Sequence, residues 1–554
     1  MPPESFSLAG MGAEVYLQFF SSVGKGVPVT VRFSLAAVSV ACALIGPGAA
    51  FAQRGGGDWM TSGFDAQRSG WVRSDSHISE DFVKKGGMEF LWKLKLNGQP
   101  KQLNSVTQPA LLDFYIGYRG FRTLGFFGTA NDTVIGVDTD LARVEWERTI
   151  GSSAKPSAPS TLECPGGMTS NVTRRTGVGY PPTPGAGRGG PGRAGGAKSA
   201  VGAPGEGAAL LKDQRPPQQF GPPPAQPAKP GRTRPAPGAS PFGRGVSWLD
   251  ALTSDGMLHS MYVSNGAEPN PAVKFLPPNA NAQGLIIFDG VAYVETVNNC
   301  GGVENGLWSL NLESKAVSHW KSNNSAVDGS EGPAIGPDGT FYSTDGSDLV
   351  AIEAGSLKVK SSFKGSAKFT SSPVVFEFKG KDMVSVMDAD GTLSLFDSAK
   401  LDAPVSKVAV AGAKGYAAGG LASWQDTSGT RWVLAPSASA VVAYKVVVNA
   451  GAIEFQTGWT SREMVAPLAP MIVNGVVFAV SSGEMRSAPV AERAKKSSGA
   501  VLYALQAGTG KELWNSGKAI TSFAHSGGLA AGGNRVLVAT YDGTQYAFGF
   551  KMEH

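Results

Sequence analysis

The sequence predicts an all-β protein: an eight-bladed β-propeller of four-stranded antiparallel blades, closed by an N-terminal strand and carrying a disordered Pro/Gly-rich insertion. Three observations predict it. A β-rich stretch of about forty-five residues recurs along the chain, a period that marks blades wound around an axis. Each copy places a Gly- or Asp-containing turn between short apolar runs and closes on an aromatic or bulky apolar residue. The last copy stops one strand short, while an aromatic strand near the N-terminus has no repeat before it.

Residues 1–52 open the chain. Arg32 is followed by the apolar run Phe33 to Ile45 and then by Ala50-Phe-Ala52, a charged start, a short apolar core and an A-x-A cleavage site. The run is too short to span a bilayer comfortably, so a signal peptide cleaved after Ala52 is expected, preceded by a misassigned upstream start. The mature protein is then periplasmic or extracellular. A leader follows over 53–86, and the propeller occupies 87–550.

The blade ends are Trp92, Trp146, Phe275, Trp320, Phe363, Val408, Trp459 and Trp514. Strand triplets precede most of them, such as Ser372 to Val375, Asp382 to Met387 and Gly391 to Asp397. Asn474-Gly475 between apolar runs signals a hairpin. The triplet at 528–550 lacks a fourth strand, and Phe90 to Leu96 lacks a triplet, so the second is expected to complete the first and leave the ring without an open edge. The regular tryptophans are read as wedges between neighbouring blades rather than as a ligand platform.

Two segments interrupt the repeats. Residues 178–245 are dominated by Gly, Pro and Ala and lack apolar periodicity, so ordering them costs more entropy than burial returns. Nine Lys or Arg side chains there stand against Glu206 and Asp213, whereas the rest of the mature chain is nearly neutral. Such a cationic arm can bind polyanions through counterion release, yet only Phe220 and Phe242 stand among its charges and no specific nucleic-acid partner is expected. Met485 to Ser498 splits the seventh blade and is expected to be an exposed loop.

Catalytic motifs are sparse. Gly185-Ala-Gly187-Arg-Gly-Gly190 spells a dinucleotide fingerprint but follows prolines instead of a buried strand. No G-x-S-x-G occurs, and His77, His259, His319, His525 and His554 lack metal spacing. Outside the leader sequence only Cys164 and Cys300 remain, a disulfide candidate in an exported chain. The chain is expected to be a monomer.

The stretches Leu502-Tyr-Ala-Leu-Gln-Ala-Gly-Thr-Gly-Lys-Glu-Leu-Trp514 and Val137 to Trp146 resemble the pyrroloquinoline quinone (PQQ) repeat family of eight-bladed propellers, and Asp58 to Gly70 resembles the leader that precedes such repeats. The resemblance implies one of two functions. Quinoprotein alcohol or sugar dehydrogenases hold PQQ and calcium on the axis, whereas relatives such as the outer-membrane assembly lipoprotein use the ring as a binding scaffold. By the same resemblance, Arg244 in Arg244-Gly-Val-Ser-Trp248 would contact the quinone carboxylates, and Glu304 in Cys300-Gly-Gly-Val-Glu304 would bind calcium. The adjacent Cys-Cys pair of many such enzymes is absent, and no motif supplies the remaining calcium ligand or the Asp base. A non-catalytic scaffold is therefore expected, with a PQQ-dependent dehydrogenase and a polyanion-binding surface protein as the alternatives.

Overall fold

A computed structural model describes residues 58–73, 75, 77–117, 120–151, 159–180, 247–323, 330–525 and 528–551. It also describes Glu14–Leu17 and Val31–Ser34, an antiparallel pair within the separate unit Met1–Arg54. The signal-peptide reading, from residue 35 to the expected cleavage site, lies outside the described residues. The repeats belong to the second unit, Gly55–His554.

Eight antiparallel sheets make up this unit among the described residues. The first blade is Ala110–Gly117, Gly120–Gly128, Thr133–Asp138 and Arg143–Thr149. Blades two to seven follow over 173–274, 281–321, 334–364, 374–409, 422–460 and 471–515, each numbered from its innermost strand outward. The eighth consists of Leu529–Gly532, Arg535–Ala539 and Thr544–Gly549, with Glu89–Lys95 as its outermost strand. That last pairing aligns Thr544 with Lys95 and Phe548 with Phe90. The ring is thus closed by the N-terminal strand, as the incomplete last repeat implies.

Burial explains the sequence pattern of each blade. Every residue of the third strand Thr133–Asp138 is buried because a neighbouring blade covers each face, so its middle, Val134 to Val137, has no polar side chain. Its outer neighbour Arg143–Thr149 is mostly exposed and buries only Trp146. The same contrast separates Val476–Ser481 from Glu512–Asn515.

The eight closing residues all lie on or next to outermost strands, and the wedge reading of the tryptophans holds. Trp146 Nε1 donates to Val263 O of the second blade at 3.1 Å, Trp459 Nε1 to Ala507 O of the seventh at 2.8 Å, and Trp92 Nε1 to Thr139 O of the first at 2.9 Å. Each indole spans one blade boundary, and Trp92 spans the closing one. Trp459 lies flat on Gly510 (φ +71°), where an added Cβ would stand 2.4 Å from its ring. A left-handed turn residue without a side chain is therefore required there.

Cys164 and Cys300 form a disulfide with Cα atoms 5.4 Å apart, joining the loop before the second blade to a loop of the third. The insertion begins later than the composition suggests. Val178 packs on the apolar cluster around Ile335 and Phe341, and Tyr180 donates to Asp382 Oδ1 at 2.9 Å. An apolar side chain and a buried phenol hold 178–180 on the propeller, and residues 181–246 lie outside the described residues. The Gly185 to Gly190 fingerprint and Arg244 fall in that range.

Asp113, on the innermost strand of the first blade, is buried with Oδ2 unpartnered. Burial, and next the charges of Asp58 and Asp75, push its pKa up to about 8. A carboxyl whose folded pKa is raised adds stability below its unfolded pKa that is lost as pH rises through the folded value. Each pH unit between roughly 4 and 8 then costs the folded state about 1 kcal/mol. Asp113→Asn is expected to flatten the decline in stability between pH 5 and pH 9, measured by urea unfolding at the two pH values; an unchanged slope contradicts the assignment. Removing Glu89–Lys95 strips the eighth blade of its fourth strand, and a chain with residues 89–95 replaced by a Gly/Ser linker, the leader kept, is expected to lose cooperative thermal unfolding in calorimetry.

Candidate functional site

Propeller axes expose the edges of their innermost strands, whose backbone N–H groups need partners. Here the leader supplies them. Leu111 N donates to Trp59 O at 2.8 Å, Arg174 N to Met60 O at 2.8 Å, Ile335 N to Ala66 O at 2.8 Å, Val375 N to Gln67 O at 3.0 Å, Ser423 N to Ser69 O at 2.9 Å and Ile472 N to Gly70 O at 2.8 Å. Those donors belong to blades one, two, four, five, six and seven in turn. Thr61 Oγ1 donates to Leu285 O of blade three at 2.9 Å, and Asn534 N of blade eight donates to Asp75 Oδ2 at 3.2 Å. Trp71–Val72 then joins the seventh blade as a parallel fifth strand. The leader is a single-turn spiral that touches every blade.

Arg68 lies fully buried inside this spiral. Its guanidinium donates to Pro333 O at 3.0 Å, Gly284 O at 3.0 Å, Ser62 O at 2.6 Å and Thr61 Oγ1 at 3.1 Å. Burial lowers its pKa to about 10, and the charges of Glu331, Asp65 and Glu295 oppose that shift, so it stays cationic at neutral pH.

Beside the spiral, where the innermost strands begin, is a cavity of about 360 Å³. Trp59, Gly63 and Gly70 of the leader line one side, and loops of several blades line the rest. Glu331 reaches it from the loop before the fourth blade, 5% exposed and with Oε2 unpartnered. Burial raises its carboxyl to about 7, with the Arg68 charge opposing the shift. Gly63 and Gly420 make room for it, since a Cβ on either would stand within 2.9 Å of its carboxylate.

The other wall comes from the seventh blade. Glu484 is buried behind three cationic or basic groups: Arg493 Nη1 at 2.8 Å, Arg486 Nε at 3.3 Å and His525 Nδ1 at 3.0 Å. Burial alone would raise its pKa, yet the hydrogen bond and charge of His525, with the two arginines, hold it below the usual range. Arg486, Arg493 and His525 all line the cavity. The segment 485–498 is largely exposed, as expected, but carries a short helix, Val490–Lys496, whose Arg493 turns back to Glu484 and Arg486 O.

The sequence-derived site residues are dispersed. Arg244 lies outside the described residues. Glu304 is about half exposed, ion-paired to Lys321 with His319 at 3.8 Å, and does not line the cavity. Cys164–Cys300 lies next to two lining residues, Leu162 and Asn298. Sequence reasoning missed Arg68, Glu331, Glu484, Arg486, Arg493 and His525 as a constellation, because no spacing links them.

Calcium takes six to eight oxygen ligands. Among the described residues no three His, Cys, Asp or Glu side chains converge to hold a metal. Of the two acids at the cavity, Glu484 is already matched by Arg486, Arg493 and His525, and burial raises Glu331 to about 7 with the Arg68 charge opposing. The described residues therefore do not fit a calcium-bridged quinone. They form instead a largely apolar pocket rich in cationic side chains, with one carboxyl raised by burial to about 7.

No family model matches the sequence, and no curated protein matches it. Among solved structures, the quinohemoprotein alcohol dehydrogenase from Comamonas testosteroni is similar with a TM-score of 0.51 at 12% identity, over 90% of this chain and 81% of that one. ADHIIG, a quinohemoprotein alcohol dehydrogenase from Pseudomonas putida HK5, gives 0.50 at 10% identity, over 90% and 81%. BamB from Moraxella catarrhalis gives 0.43 at 12% identity, over 84% and 99%. At these identities the likeness is one of fold: the chain shares the eight-bladed propeller architecture. No helix among the described residues is long and apolar enough to cross a membrane.

Removing one partner of a buried charge pair costs about 3 to 5 kcal/mol. Arg68→Met is expected to destabilise the protein by roughly that amount in denaturant unfolding, and Glu331→Gln in the same chain to restore part of it. Additivity of the two changes would show that Arg68 and Glu331 are not coupled.

Proposed function

We propose that the protein is an exported, non-catalytic binding propeller that takes a ligand at its axial cavity. One observation carries this reading: Glu484 is matched by Arg486, Arg493 and His525, while the leader occupies the axis, leaving a shaped pocket without a cation-binding donor set among the described residues. Apolar walls with a few convergent polar groups are the ordinary make-up of a small-molecule site. Export is supported by the signal-like run and by the Cys164–Cys300 bridge, which belongs to oxidising compartments.

The mature chain, purified in the presence of calcium and PQQ, is expected to retain no stoichiometric quinone absorbance and to oxidise neither alcohols nor sugars in a dye-linked assay. Arg244→Ala is expected to behave like the parent. Stoichiometric quinone with turnover, lost in Arg244→Ala, would overturn the proposal in favour of a dehydrogenase.

A further inference from the structure

The axial cavity offers more than volume. Arg486 spends Nε on Glu484 Oε2 at 3.3 Å and Nη1 on Ala417 O at 3.3 Å, while Nη2 has no partner among the described residues. Its guanidinium lies 4.8 Å from the Tyr416 ring centroid, and Tyr416 is itself fixed by a 2.7 Å hydrogen bond to Pro467 O. The fork is held in place before any ligand arrives, which lowers the entropy cost of binding. His525 spends Nδ1 on Glu484, and its Nε2 has no partner among the described residues. Arg493 is different, because its three nitrogens are taken by Ala488 O, Glu484 Oε1 and Arg486 O. It contributes charge, with each of its nitrogens already engaged.

Charge sets the sign of the ligand. Arg68, Arg486 and Arg493 are cationic, against Glu484 and a Glu331 that burial holds near neutrality. An apolar wall of Trp59, Leu468, Met471 and Leu529 lines the same space, so a bare inorganic anion would leave most of the cavity surface without contact. A second, independent observation comes from Glu331. Its Oε2 is buried and unpartnered at the cavity wall, a state that costs free energy unless something hydrogen-bonds it.

We propose that this cavity binds a small organic carboxylate: its anionic head at Arg486 and His525, its apolar body on Trp59, Leu468, Met471 and Leu529, and a hydroxyl or similar polar group at its far end on Glu331. The inference rests on the binding reading above and specifies the ligand class. Arg486 presents N–H donors to the carboxylate oxygens, and the apolar body supplies most of the affinity.

Isothermal titration of the mature, disulfide-intact chain with 4-hydroxyphenylacetate tests this, with phenylacetate and 4-hydroxyphenylacetamide as comparisons. One saturable site is expected. The uncharged amide should bind at least tenfold more weakly, and so should Arg486→Met with the acid. Phenylacetate should be weaker than its hydroxylated form, and Lys495→Met, on the exposed helix, should match the parent. No saturable binding, equal affinity for acid and amide, or parent-like affinity in Arg486→Met would each overturn the proposal. If Arg486→Met fails to fold, shown by circular dichroism, the acid-against-amide comparison in the parent decides alone. Quinone retention with turnover would sink the non-catalytic reading while leaving the carboxylate result standing. Absence of both carboxylate binding and quinone would sink this inference alone.

Discussion

The structure depends on satisfying eight backbone edges that converge on one axis. A closed ring removes the edges between its first and last blades but not those facing inward, where water is progressively excluded. The leader answers this by running past the blades in order, its carbonyls taking N–H groups from Leu111, Arg174, Ile335, Val375, Ser423 and Ile472. Because partner and strand alternate so regularly, the spiral also fixes the order and spacing of the blades. It then continues into the strand that closes the eighth.

That solution has an electrostatic consequence. Where the spiral passes the third and fourth blades, the carbonyls of Ser62, Gly284 and Pro333 converge, and Arg68 is the cation that gathers them. A guanidinium suits this role because its donors lie in a fixed plane and it holds its proton even when desolvated. Glu331 can then stay close to the axis without becoming a bare buried charge. Arg174, buried as fully, ties the second blade to Asp58 in the same way. Stability and site chemistry are therefore linked: the groups that seal the axis also set the polarity of the cavity beside it.

The outer ring works by a separate device. Tryptophans on outermost strands each donate to a carbonyl of the next blade, so wedge and hydrogen bond act together at three of the boundaries. The Trp92 contact coincides with the closing strand, which ties ring closure to the same packing rule. The disulfide adds a further tie at the loops above the second and third blades. These loops and the Glu484 cluster flank the cavity from different blades, so its shape relies on the whole ring.

Period and burial make the ring legible in the residues alone: strands covered on both faces are mostly apolar in their middle, outermost strands need one large wedge, and an unfinished repeat needs a distant partner. The eight closing residues, the Phe90 strand and the pairing of Cys164 with Cys300 follow from that local logic. The cavity does not. Glu331 comes from the loop before the fourth blade, Glu484 and Arg486 from one loop of the seventh and His525 from the connection to the eighth, and only the assembled ring sets them around one cavity. Nor does composition reveal that Asp58 to Gly70, a polar and glycine-containing stretch, fills the axis, because its partners are backbone groups that carry no residue signature. Sequence determined the repeating unit because each blade is specified by its own residues. Tertiary structure decided the site because walls supplied by separate blades enclose a cavity only once the circle is complete.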